Sequence, residues 1–248
     1  MKILRNFERI IFMSNSTLFQ VGTMQLLANS LLDGTMSIGD LLKHGDFGIG
    51  TGQGLDGELI ILDGKAYHTL VSGECETPDA SFTTPFAAAH HGDFKDFGQA
   101  ENDSLEEVLN NAVAALRAQN QFVALLVEGE FETMTTRSAA GSQKPYPSLT
   151  EAAEKQQVFN GTKVKGRLLS YYAPAIYQGV TVAGFHSHFL ADDHNLSGHV
   201  LTGKVLNATV KVQLLDTIEQ VLPVDNADFK AADLTDLTMV HKAIEAAE

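Results

Sequence analysis

Apolar and polar positions change their period several times along this chain, and each change marks an element. Residues 17–32 place apolar side chains at 18, 21, 24, 27, 28 and 31, with Gly34 as a stop, and this spacing predicts a helix. Ser37 to His44 reads as a short helix ending at Gly45. The runs ELIIL and KAYHTLV flank Asp63-Gly64, a dipeptide suited to a tight turn, and predict a β-hairpin. A strand near SFTTPF follows. Ser104-Leu-Glu-Glu107 is a capping box opening a helix to about Gln119, with Leu105, Val108, Leu109, Ala112 and Leu116 inward. Residues 121–136 alternate well enough for a long strand. Ser148-Leu-Thr-Glu151 is a second capping box, and Asn160-Gly161 is expected to end its helix. From 163 to about 222 the chain is strand-rich, and a last helix is expected at 235–247.

This order describes an α/β (α+β) protein with mixed and antiparallel sheet, not the strict alternation of a parallel sheet. There is no repeat, low-complexity tract or obvious linker. Lys144-Pro145-Tyr146-Pro147 is the candidate boundary, dividing the chain into halves at 15–147 and 148–248. Residues 1–14 are expected to form a disordered extension, with Met13 as an alternative start.

Composition narrows the function classes. A formal net charge of −14 with no basic cluster argues against nucleic acid, whose phosphates need Lys and Arg. No apolar run is long enough to span a bilayer. Arg5, Glu8 and Arg9 interrupt the apolar N-terminus, which is not read as a signal peptide. The single cysteine, Cys75, excludes an internal disulfide and fits a cytoplasmic protein.

The strongest chemical signal is GFHSHFLADDHNLSGHVL, residues 184–201, which holds four of the nine histidines. His186 and His188 are two apart in a strand-forming run, so both imidazoles face one side. A hairpin centred on the polar loop Ala191–Ser197 sets His199 opposite His188, with β-carbons roughly 5 Å apart. Three neutral imidazoles then converge, as in a catalytic zinc site with an open position. His194, in the loop between Asp193 and Asn195, is expected to be solvated or to support a ligand from behind, and not to bind metal directly.

Other segments are less specific. GIGTGQG lacks the Lys-Ser/Thr of a phosphate loop and precedes a strand, so its glycines read as turns and close packing. Adjacent His90 and His91 diverge in extended chain. Glu58, in LDGELIIL, is an acid in an apolar strand; it reads either as an exposed hairpin position or as a functional carboxylate. Arg137 ends the long strand in TMTTR, where a solvated end and a catalytic group are both open readings.

Taken together, GDFGIGTGQGLDGELIILDGKAY, GFHSHFL and SGHVL resemble the α-acetolactate decarboxylase family, in order and separation as well as in residues. The resemblance runs from about Leu18 to the C-terminus. It implies zinc held by His186, His188 and His199, with Glu58, Thr51, Arg137 and Glu245 as active-site residues. It also implies two sheet-based halves with flanking helices, the metal in the cleft between them, and a homodimer. The implied reaction converts 2-acetolactate to acetoin and carbon dioxide.

The rival readings fit less well. A cupin-like metal site on a small oxo acid wants Glu where Asp192 stands. A metallo-β-lactamase-type hydrolase wants H-x-H-x-D-H, and Asp193-His194 comes three residues too late. A non-enzymatic metal-binding module would not need Glu58 and Arg137.

Overall fold

The run FVALLV, residues 122–127, is apolar at every position because both of its faces are buried. Val123, Leu125 and Val127 enter one core, while Phe122, Ala124 and Leu126 enter another. Successive side chains of a strand point to opposite faces, so a central strand loses the polar alternation of a surface strand.

The computed structural model describes Lys2–Ile3 and residues 16–235. In chain order the strands begin with β1 (Lys2–Ile3), β2 (Thr17–Val21), β3 (Met36–Ser37), β4 (Phe47–Gly52) and β5 (Asp56–Leu62). They continue with β6 (Lys65–Thr69), β7 (Cys75–Glu76), β8 (Thr83–Thr84), β9 (Phe86–His90) and β10 (Lys95–Glu101). The last are β11 (Phe122–Ser138), β12 (Gln157–Ala173), β13 (Gly184–Ala191), β14 (Ser197–Leu215) and β15 (Thr217–Val221). The helices are α1 (Met24–Ala28), α2 (Ile38–Leu41), α3 (Leu105–Leu116), α4 (Leu149–Ala153) and α5 (Ala227–Ala231).

Two large sheets face each other. The first has seven strands in the order β15-β2-β9-β4-β5-β6-β7, antiparallel except for the parallel β15–β2 pair. The second has the order β1-β10-β14-β11-β12-β13, and β13 also pairs with β14, which closes part of the sheet on itself. Leu18, Ile49 and Ile60 of the first sheet meet Ala124, Leu126 and Leu169 of the second in a shared core. Helix α3 covers the far face of the second sheet through Leu105, Val108, Leu109 and Ala112. Its capping box on Ser104 and Glu107 is formed as expected. Helix α2 covers the far face of the first sheet with Ile38 and Leu41. No helix among the described residues is long and apolar enough to cross a membrane.

The fold class matches the sequence reading, and three local expectations are corrected. Residues 17–32 are not one helix: Thr17–Val21 is a strand, and only Met24–Ala28 is helical. Leu18 packs into the inter-sheet core while Phe19 and Val21 pack toward α2, so the helical spacing there was accidental. Thr23 starts the helix by accepting a hydrogen bond from the Leu26 N–H. The helix begun by Ser148 ends at Ala153, and Asn160-Gly161 lies inside β12, paired with Thr135 and Met134. The sheets also do not divide at residues 144–147. Strand β11 lies before that stretch and pairs with β12 after it, and β15 returns to the first sheet. The prolines there mark a loop within the second sheet's connectivity. The expected extension at 1–14, except Lys2–Ile3 paired on β10, lies outside the described residues, as do Glu245 and the helix expected over 235–247, except Thr235.

Candidate active site

The hairpin register predicted from the histidine spacing is observed. His188 pairs with His199 across β13 and β14, and Arg137 on β11 pairs with His199 from the other side. Residues i and i+2 of a strand share a face, so His186 joins the other two. The ring centroids of His186, His188 and His199 form a triangle with sides of 5.1, 5.0 and 5.4 Å. One ring nitrogen from each lies within 4.8 Å of the other two. Gly198 makes the approach possible: its φ is +124°, and a Cβ there would stand 2.5 Å from the Arg137 carbonyl oxygen.

His188 is 1 % exposed. Its Nδ1–H donates to the Leu59 carbonyl at 2.7 Å, which fixes the tautomer and leaves a lone pair on Nε2. That Nε2 lies 3.3 Å from Glu58 Oε2 but makes no hydrogen bond among the described residues, and it is buried. A buried nitrogen without a partner, facing two other imidazoles, is the donor set a divalent ion requires. Burial, reinforced by Arg137, pushes the His186 imidazole down to about 4. Burial and the neighbouring imidazoles hold His188 and His199 well below the usual histidine value. All three rings are therefore neutral near pH 7, the form that ligates.

The first sheet supplies the opposing groups. Glu58 on β5 pairs with Thr51 on β4 and Thr69 on β6. The preceding Gly57 has φ +66°, and a Cβ there would stand 2.3 Å from the Thr69 carbonyl oxygen and 2.4 Å from His68 Nε2. The glycine of LDGEL thus turns the chain so that Glu58 points between the sheets. The Thr51 hydroxyl donates to the Gly57 carbonyl at 2.7 Å and steadies that turn. The Glu58 side chain is 13 % exposed, and burial pushes its carboxyl up to about 8 against the opposing pull of Arg137. Arg137 is 8 % exposed, and its Nη1 donates to Gln156 Oε1 at 2.7 Å. Of the two readings open for each residue, the surface one fails for both.

These groups line one cavity of about 100 Å³ between the sheets. Thr51, Glu58, Arg137, Gln156, His186 and His199 form its polar part. Met24, Leu27, Leu55, Phe86, Leu149 and Val182 form an apolar wall. Neither Gln156 nor the wall stands out in the pattern of the sequence. These residues come from separate segments, and no local period connects them. His194 is exposed in the β13–β14 turn, its ring edge-on to Tyr67 at 5.0 Å and away from the other three histidines. His90 is buried elsewhere, with Nδ1 2.7 Å from the Tyr171 hydroxyl.

A family model for α-acetolactate decarboxylase matches residues 18–236. The chain belongs to the α-acetolactate decarboxylase family. With the family comes the class of reaction, that of a carboxy-lyase. The Lactococcus lactis subsp. lactis α-acetolactate decarboxylase is 36 % identical over 93 % of this chain and 98 % of its own. The Bacillus subtilis strain 168 relative is 34 % identical over 88 % of this chain and 86 % of its own. The crystal structure of the Bacillus subtilis enzyme superposes with a TM-score of 0.86 at 31 % identity, covering 94 % of this chain and 99 % of that one. A Staphylococcus aureus protein similar to α-acetolactate decarboxylase gives 0.87 at 33 % identity, covering 93 % and 99 %.

Proposed function

We propose that this enzyme converts 2-acetolactate to acetoin and carbon dioxide, with a divalent ion, zinc by preference, held by His186, His188 and His199. The observation that carries the reading is the buried Nε2 of His188, unpartnered among the described residues and facing two neutral imidazoles in the cavity that also holds Glu58 and Arg137. When bound, the ion supplies Lewis acidity toward the substrate's hydroxyl and ketone oxygens, which an open coordination site permits.

The residues of the chain do the rest. Arg137 pairs with the substrate carboxylate and steadies negative charge in a site of low dielectric. Cleavage of the bond between the carboxylate and its neighbouring carbon releases carbon dioxide and leaves the electron pair on an enediolate. The Glu58 carboxyl, protonated in its buried setting, gives its proton to that carbon from one face and forms chiral acetoin. Water then returns a proton to Glu58, so one proton is consumed per turnover. Thr51 holds the Gly57–Glu58 turn. Glu245 is the second carboxylate of this reading, assigned by family resemblance. Near the end of the described residues, the Leu234 carbonyl accepts from Nε2 of Gln25, the residue after Met24 of the wall, at 3.5 Å. A cytoplasmic homodimer completes the reading.

The test is turnover of racemic 2-acetolactate by zinc-loaded protein, with acetoin and carbon dioxide measured together. Equimolar production, lost on chelation and restored by zinc, is the expected result. Turnover unchanged after complete metal removal overturns the metal assignment, and absence of acetoin overturns the substrate.

A further inference from the structure

A buried arginine in an enzyme cavity is useful to an anionic substrate only if its charge has not already been neutralised. Arg137 meets that condition through one neighbour. Its Nη1 donates to the carboxamide oxygen of Gln156, and its Nε–H is buried without a partner among the described residues. A guanidinium has five N–H donors, so several remain for a ligand. The amide accepts a hydrogen bond without bringing a negative charge.

The position of Gln156 is built by its surroundings. The capping box on Ser148 and Glu151 starts α4. The Lys155 and Gln156 N–H groups then bond to the Ala152 and Ala153 carbonyls at 3.1 and 3.3 Å. The next two residues enter β12, with Gln157 opposite Ser138 and Val158 opposite Arg137. Gln156 is therefore pinned on both sides, one step before the strand that pairs with Arg137's own. Acidic residues stand close by in sequence but elsewhere in space: Glu151 is consumed by the cap, and Glu154 is exposed.

We infer that Gln156 is a positioning residue: it orients the Arg137 guanidinium toward the substrate carboxylate and leaves its positive charge free. This rests on the carboxylate-pairing role proposed for Arg137. An isosteric Glu at 156 would keep the hydrogen bond and spend the charge, since an arginine–carboxylate pair is a strong, planar interaction. An isosteric Met would release the guanidinium without opposing the substrate.

The experiment compares zinc-loaded wild type, Gln156→Glu and Gln156→Met. Calorimetry measures binding of 2-hydroxyisobutyrate, a 2-hydroxy carboxylate with no ketone and hence no decarboxylation, and kinetics on 2-acetolactate are run in parallel. Gln156→Glu is expected to retain fold and metal and to weaken carboxylate binding roughly tenfold or more, with KM rising more than kcat falls. Gln156→Met is expected to weaken binding by a smaller factor. Wild-type affinity for 2-hydroxyisobutyrate in a folded, metal-loaded Gln156→Glu overturns the inference. Should Gln156→Glu not fold, Gln156→Met decides by the same affinity: weakened binding supports the role, and unchanged binding removes it. Weakened binding in the variants, with no acetoin from any protein including wild type, would overturn the proposed reaction while upholding the role of Gln156.

Discussion

His68 and His188 sit on facing sheets, are each 1 % exposed, and each donate one ring N–H to a backbone carbonyl at 2.7 Å. The difference lies in the second nitrogen. In His68, Nε2 donates to the Asp56 carbonyl and Nδ1 faces Glu76 Oε1 at 3.4 Å. In His188, Nδ1 is engaged by Leu59, while Nε2 has no hydrogen-bond partner among the described residues and faces His186 and His199. Burial alone therefore does not mark a ligand. A buried imidazole whose two nitrogens each face an oxygen of the fold braces the backbone, here beside the Gly57–Glu58 turn. One with a single engaged nitrogen presents a lone pair that the fold does not satisfy, and an unsatisfied buried polar atom is costly unless something binds it.

The comparison is sharpened most by changing residues that share the cavity with His186 and His199 but are not placed as ligands. Glu58→Gln and Arg137→Ala should retain metal and lose roughly 10²-fold or more in kcat, the scale of general-acid and charge-stabilising roles. Metal analysis beside the assay checks it. Loss of metal from either variant would move that residue into the ligand set and break the distinction.

His90 is the intermediate case: Nδ1 contacts Tyr171, and among the described residues Nε2 is unpartnered and the ring belongs to no group of converging ligands. Burial pushes its imidazole down to about 4, whereas an unfolded chain holds a histidine near about 6.5. Between those values the unfolded state binds the additional proton, so stability rises with pH across the window. The contribution is fully present above about pH 6.5, is lost as pH falls toward 4, and totals on the order of 3 kcal/mol. His90→Gln should flatten that part of the stability profile, measured by urea unfolding of the chelated protein. An unchanged slope would place the titration elsewhere. The smallest effect is expected at His194, exposed in the turn between the two strands that carry His186, His188 and His199. His194→Ala should change stability by within about 0.5 kcal/mol and leave metal content and rate near wild type.

What the sequence revealed follows from how local each signal is. The convergence of His186, His188 and His199 needed only the two-residue period of a strand and one hairpin register, both written in a single stretch of chain. The Asp63-Gly64 turn and the Ser104 capping box were legible for the same reason. The burial of Glu58 was not, because it depends on a second sheet closing over β5. Gln156, Leu149 and Val182 reach the cavity from separate connections, and their neighbours in sequence say nothing of the meeting. At residues 17–32, a strand buried on both faces followed by a short helix imitated the spacing of one long helix.

The central claim is that an unpartnered second nitrogen converging with two other imidazoles, not burial, makes an imidazole of this fold a metal ligand. It is tested most directly by the zinc content of folded His188→Ala and His68→Ala, each equilibrated with zinc, desalted and assayed by mass spectrometry. The account predicts about one ion per chain in His68→Ala and almost none in His188→Ala. Equal zinc in the two variants would contradict it.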